Sequence, residues 1–503
     1  MTRTRPLSLV LILLVLLVCA PAGPAAADTP ASGGDISVAQ TLGDRDLTLI
    51  LRRVTSVPGP LRVEAITHVG TAPGSLTLVL TPASSGTAVS RATLVLGSAP
   101  GSYGATMRVD RAGPWELAVG DGVRTARVPF VVLGQSVSPP ERAIYGGFLA
   151  AGVLLLVTIV VAVRVRRIGW ALLPGAGLVA GLAVAITGAV LSAALPLPPQ
   201  PGLQTDATVG NAADPYALSR PLVADYSRPP VLLSLPGPPR AAGRPADVAL
   251  NLTDAATGLP VDDLVVHDGA LIHLLVVGPS GQLWHLHPIR VAPGDFQVHL
   301  TPPTAGLYAL SAELERRGGG VQLVRAAAGL TVTGRPGGSP AYAPVTVTAG
   351  RRVTTTVSGV PVSILAGGAT AGAATTLTVG VGTSPSLQPW LGMLGHLIVV
   401  GPVPAGSPAG AAAQTAPIWA HAHSMGDLTP GMNMPGMAAG DDDAMAGLMP
   451  VNGDSAADET VAAYGPSISF TFTFGLPGTY RLWIQAERDY RILTVPAVLE
   501  VHR

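Results

Sequence analysis

Two apolar runs constrain this chain more than any other feature. Ala143 to Val163 is a stretch of about twenty residues without charge, and after RVRR a second runs from Trp170 to Leu195, each long enough to cross a hydrocarbon core of roughly 30 Å. The sequence therefore predicts a transmembrane hairpin over 143–195, with spans at 143–163 and 170–195. Arg164, Arg166 and Arg167 form the densest positive cluster near the membrane, which assigns the short connection to the cytoplasm and both flanks to the outside. Neither span holds a charged residue or a histidine, which argues against an ion path or proton relay. Gly175, Gly177, Gly181 and Gly188 offer positions for close helix approach, against the plainer reading of ordinary glycine content in a membrane helix.

The N-terminus agrees with an exported protein. Residues 1–27 read as a signal peptide, with Arg3 and Arg5 as the basic end, Leu9 to Val18 as the apolar middle and Ala25 to Ala27 as the cleavage site. The single cysteine, Cys19, lies inside it, so the mature chain has no thiol. That excludes disulfides, thiolate zinc sites, cysteine nucleophiles and blue-copper centres. Acylation of Cys19 in a lipoprotein is the alternative, but Leu17 and Val18 make a poor lipobox.

A chain of 503 residues has room for three or four domains. Charged residues make up 12%, about half the usual share of roughly 25%. With 61 glycines and 48 prolines, this composition points to turn-dense β structure. A net charge of zero offers no field for gathering nucleic acid. Residues 35–135 carry short apolar runs such as LTLILRRV, SLTLVL and ARVPFVV between turn clusters, the pattern of an immunoglobulin-like β-sandwich. His68 and Met107 read there as structural, and the domain is assigned packing or partner contact without chemistry. Residues 196–245 read as a proline-punctuated tether.

Beyond the tether the chain repeats itself. HLLVVGPSGQLWHLHP, His273 to Pro288, returns as HLIVVGP from His396 and WAHAH ending at His423. PTAGLYALSAEL likewise returns as GLPGTYRLWIQAE, so the sequence predicts two duplicated sandwiches, 246–335 and 344–503. Side chains two apart on a strand share a face, so His285 pairs with His287 and His421 with His423. A hairpin turning at Pro279 to Gly281 also sets His273 opposite His287, and a slip of one residue would undo this. In the second copy Val403 to Pro417 reads as an enlarged, mobile tip without chemistry. A methionine-rich insertion, 424–450, follows His423 and includes Met425, Met432, Met434 and Met437. Thioether sulfur suits Cu(I), and imidazole accepts copper or zinc.

The pattern H-L-[IL]-V-V, a turn, an aromatic and H-x-H resembles the histidine-bearing YtkA-like and CopC-like exported β-sandwich domains of actinobacterial membrane-anchored proteins. The resemblance covers 246–503 and implies copper association, with zinc as the alternative, through His273, His285 and His287 in one unit and His396, His421 and His423 in the other. It departs at Ser424, where the first copy has Pro288, and in the first domain, which lacks a histidine at its mature N-terminus. Trp284 and Trp419 read as core anchors, His267 and His299 as strand-edge polar residues and His502 as a tail residue. No acid/base constellation, G-x-S-x-G elbow or phosphate-cradling loop is present, which argues against an enzyme.

The expectation is a mainly β protein: three immunoglobulin-like β-sandwich domains plus a two-helix transmembrane hairpin. It sits in the cell membrane with both terminal regions extracytoplasmic, binds copper without catalysis and receives the ion from a metal-delivering or envelope protein partner. The alternative is an envelope scaffold whose histidines only support folding.

Overall fold

The computed structural model describes residues 35–52, 54, 56–132, 138–165, 167–194, 228–317, 319–335, 343–404, 406–424 and 463–503. The signal-peptide segment, Met425, Met432, Met434 and Met437 lie outside the described residues. The fold is mainly β, with three sandwiches and two long apolar helices.

In the first sandwich, Ile36–Leu42, Arg45–Leu51, Gly59–Thr67 and Gly101–Val109 form one four-stranded sheet. It faces a second sheet ordered Ser90–Leu96, Gly74–Pro82, Gly113–Gly120 and Thr125–Val132. The strand Gly74–Pro82 shows why the sequence alternates: Leu76, Leu78 and Leu80 point into the core while Ser75 and Thr77 face solvent. This core runs without a break into that of the second sandwich, and Arg290 reaches across from Asp262 to Glu116. His299 bonds Asp247 at 2.6 Å and meets Arg124 at the same junction.

The helices Pro139–Arg164 and Leu172–Ala194 pack on one another and are long and apolar enough to cross a membrane. Ser138 and Glu141 cap the first reciprocally, with Pro139 and Pro140 opening it. A Cβ at Gly147 would lie 2.6 Å from the carbonyl oxygen of Gly181, and one at Gly188 would lie 2.8 Å from that of Pro140. Gly181 and Gly188 are therefore crossing points rather than incidental glycines, because only a hydrogen in place of a side chain lets the backbones approach this closely. Gly175, with nothing nearer than 3.9 Å, is not one.

The tether expected over 196–245 ends earlier. Val231–Ser234 pairs with Ala246–Asp254, and Arg240–Ala241 pairs with Leu330–Thr333, so the second sandwich begins inside that stretch. Prolines flank these short strands without interrupting them, and each strand lies at a sheet edge where a missing N–H is tolerated. The second sandwich sets His273–Val277, Leu283–Leu286 and Gly306–Arg316 in one sheet; the third sets Gly395–Gly401, Ile418–Ser424 and Gly478–Arg488 in the corresponding one.

These two sheets pack face to face. The strands His273–Val277 and Gly395–Gly401 are buried along their whole length, on both faces. Leu274 and Val276 fill their own sandwich, as do Leu397 and Val399, whereas Leu275, Val277, Ile398 and Val400 meet between the sandwiches. Trp419 and Trp483 join that third core, each large apolar side chain contributing about 1.5–3 kcal/mol of transfer free energy. Trp419 thus anchors the interface between the repeats, while Trp284 packs on Tyr308 and the core of its own sandwich. The stretch expected to be a mobile tip contains a helix, Ala409–Thr415, wedged against the first repeat. Its alanines give it a flat buried face, and Gln414 donates to the carbonyl oxygens of Ala326 and Ala327.

Candidate metal centre

Strand parity places all six hairpin histidines on the docked face. In the first repeat Leu275 pairs with His285 and Val277 with Leu283, a register that carries His273 opposite His287 as the sequence requires. In the second, His396 pairs with His423, Ile398 with His421 and Val400 with Trp419. The face that holds Leu275 and Ile398 against each other at one end therefore holds imidazoles against each other at the other end. Two sites, one per repeat, were expected; the structure merges them into one cluster. Ring centroids lie 5.3 Å apart for His273 and His421, 4.9 Å for His285 and His421 and 5.5 Å for His285 and His396.

Each ring except that of His287 turns one nitrogen outward to an oxygen acceptor. His273 Nε2 lies 3.1 Å from the carbonyl oxygen of His267, and His396 Nε2 lies 3.3 Å from that of Trp390. His285 Nδ1 is 2.9 Å from Gln485 Oε1, and the other amide atom of Gln485 donates to Thr494. His421 Nδ1 is 3.5 Å from Glu313 Oε2, and His423 Nδ1 is 3.2 Å from Asp268 Oδ2. Carbonyl oxygens only accept, so the outward nitrogens of His273, His285 and His396 donate in these hydrogen bonds, while those of His421 and His423 face carboxylates. The inward nitrogens converge: His396 Nδ1 is 3.2 Å and His423 Nε2 3.3 Å from His421 Nε2, and His273 Nδ1 is 3.1 Å from His285 Nε2.

Burial makes this arrangement hard to relieve by protonation. It pushes His273, His285 and His396 well below the ordinary imidazole range, with neighbouring rings adding to the effect. Burial likewise lowers His423, to about 4, against the opposing pull of Asp268 and Glu313. His267 goes the other way. Burial would lower it, but contacts to Asp268, Glu313 and Glu315 push it up to about 12. The Glu313 carboxyl, which burial would raise, is held well below the carboxylate range by His267 and His421.

Several of these partners were not legible as site residues. His267, taken for a strand-edge polar residue, is the cation of an acidic group with Asp268 and Glu313 whose ligand atoms lie within 4.8 Å of one another. Gln485 and Glu313 lie on strands distant in sequence, opposite His396 and His273. The repeat alignment held a usable signal, since both occupy the same place in the two copies. The first sandwich also closes on the cluster. Thr41 bonds both the backbone N–H and the carbonyl oxygen of His287, and Asp46 stands 3.7 Å from His287 Nδ1. His68 is not an isolated structural residue; its Nδ1 lies 2.8 Å from Glu487, a carboxylate with no exposure.

No family model matches the chain. No curated protein matches it significantly. Among solved structures, invasin, a bacterial integrin-binding protein, aligns over 92% of this chain and 60% of its own at 10% identity and a TM-score of 0.14. The FN1-FN3 domains of chicken CNTN1 align over 90% and 97% at 6% identity and a TM-score of 0.13. A protein described as membrane anchored from Corynebacterium diphtheriae aligns over 91% and 92% at 8% identity and a TM-score of 0.14. Superpositions this loose carry no functional argument, so the chemistry is read from the site alone.

Two groups of three histidines place their ligand atoms within 4.8 Å of one another: His273, His285 and His421, and His396, His421 and His423. Imidazoles whose outer nitrogens face oxygen acceptors are a donor set suited to copper or zinc, and the carboxylates behind His421 and His423 resemble the second layer such sites use.

Proposed function

We propose that this is a membrane-anchored, extracytoplasmic protein that holds a transition-metal ion, copper in the first instance, in the histidine cluster between its distal sandwiches. One observation carries the reading: His396 Nδ1, His421 Nε2 and His423 Nε2 converge at 3.2 and 3.3 Å, with a carbonyl or carboxylate oxygen behind each outer nitrogen. A cation among them turns convergence into coordination. The donors are imidazoles without thiolate, which suits copper and also zinc. Copper is the ion implied by the YtkA-like and CopC-like resemblance. The protein holds or passes the ion without turnover, and a metal-delivering envelope partner loads it.

The test is metal retention by the full chain in detergent after exhaustive dialysis. The full chain keeps copper, and the His421→Ala, His423→Ala double variant, stripped of two ligands of that trio, keeps measurably less copper per chain. Equal retention by both proteins rejects the reading.

The second reading is an envelope scaffold of stacked sandwiches. The unbroken core between the first two sandwiches and the apolar interface between the last two favour it. Under it the full chain retains no metal.

A further inference from the structure

The metal reading so far needs only the second repeat's trio. The first repeat sets His273, His285 and His287 at the equivalent strand positions beside it, and we propose that the cluster is dinuclear: one ion at His396, His421 and His423, a second at His273, His285 and His287, in a single chamber that exists only when the two repeats are docked. This rests on the reading of the cluster as a metal site.

Three observations point to the second ion. The inward pair His273 Nδ1 and His285 Nε2, 3.1 Å apart, repeats the pair His396 Nδ1 and His421 Nε2, 3.2 Å apart. Its outer nitrogens are anchored in the same way, on the His267 carbonyl and on Gln485 Oε1. His287, which occupies the place of His423 in the repeat, is 1% exposed with no hydrogen-bond partner on either ring nitrogen. Asp46, 3.7 Å from Nδ1, is too far to make a hydrogen bond, and coordination gives the ring the bond it lacks. Its ring stands 5.0 Å from that of His285 and 5.3 Å from that of His273.

The two positions are neighbours, because His421 lies within 4.8 Å both of His273 and His285 and of His396 and His423, ligand atom to ligand atom. Two cations so close repel, and the carboxylates of Asp46, Asp268 and Glu313, set behind His287, His423 and His421, offset that repulsion. The orienting contacts also cross between repeats. Gln485 of the second aligns His285 of the first, while Glu313 and Asp268 of the first align His421 and His423 of the second. Neither repeat alone presents three oriented rings, so the ions clasp the two sandwiches together and docking in turn creates their sites.

Zinc stoichiometry of the full chain in detergent, measured after equilibrium dialysis, tests this. Two equivalents per chain are expected, falling to one in His273→Ala and to one in His396→Ala. A single equivalent in the unaltered chain overturns the dinuclear centre and leaves the metal reading intact; no bound zinc or copper overturns both. Copper(II) loading of the unaltered chain gives a check that needs no variant. Two ions in one chamber couple magnetically, and the integrated paramagnetic resonance signal falls several-fold below the copper content. A full-intensity mononuclear signal overturns the proposal.

Discussion

The two halves of the histidine cluster share a backbone and differ in what stands behind it. In both repeats a tight turn precedes the opening histidine, with a bridge between His267 and Ala270 in the first and between Trp390 and Met393 in the second. Asp268 and Leu391 hold the same left-handed position in these turns, at φ 47° and 55°. Aspartate takes that conformation readily and leucine does not, so the second repeat retains an awkward residue there to place an apolar side chain. Leu391 packs with Trp390, Ala270 and Ala39, and the Trp390 ring stands edge-on to His285 and His396. The first repeat instead sets Asp268, Glu313 and the His267 cation at the site. One half therefore supplies charge and the other excludes water. A low-dielectric wall strengthens the field of the carboxylates opposite it, which neither half would achieve if both were acidic or both greasy.

Changing pH separates the halves most strongly. His273, His285, His396 and His423 are depressed by burial, so each takes up a proton on unfolding below about pH 6.5 and each contributes a loss of up to about 1.4 kcal/mol per pH unit until its folded value is reached. Stability without metal is expected to fall steeply from pH 6.5 to 4. The raised His267 acts with the opposite sign: its stabilisation is complete below 6.5 and fades as pH climbs toward about 12. Thermal unfolding of the metal-free chain across pH measures both limbs, and a profile flat between 6.5 and 4 would show that the four rings are not held neutral.

The apolar contact gives the next largest effect. A Cβ at Gly410 would lie 2.0 Å from the carbonyl oxygen of Leu307, so Gly410→Ala forces the Ala409–Thr415 helix off the first repeat. A cost of about 1–3 kcal/mol is expected, together with faster hydrogen exchange at Leu275, Val277, Ile398 and Val400. Unchanged exchange there would mean that the helix does not govern docking.

Smallest and sharpest is the exchange of Glu313 and Gln485, which occupy equivalent positions opposite His273 and His396. Glu313→Gln removes the carboxylate behind His421 and is expected to weaken metal binding about tenfold. Gln485→Glu places a carboxylate behind His285 and is expected to strengthen it by a smaller factor. Equal effects of the same sign would show that the two halves are interchangeable.

Much of this was legible in the residues. Alternating runs in 35–135 gave a sandwich, the uncharged stretches gave two helices, and the register of His273 against His287 followed from the turn at Pro279 to Gly281. A signal for the interface was present too. HLLVV and HLIVVG are apolar at consecutive positions, so both faces of each strand require cover, and the helix in the enlarged tip supplies part of it. Distance along the chain hid the rest. Gln485 meets His285 across 200 residues, and His68 meets Glu487 across 419.

The sequence by itself determined the strands, the membrane-length helices and which histidines share a face, because these depend on the period of side chains along one stretch of backbone. That six imidazoles form one cluster rather than two trios, that Glu313 and Asp268 orient rings of the other repeat, and that the first sandwich covers His287 were decided only by tertiary packing. Faces that no local period distinguishes from solvent become ligand walls when the apolar residues beside them bring two sheets together.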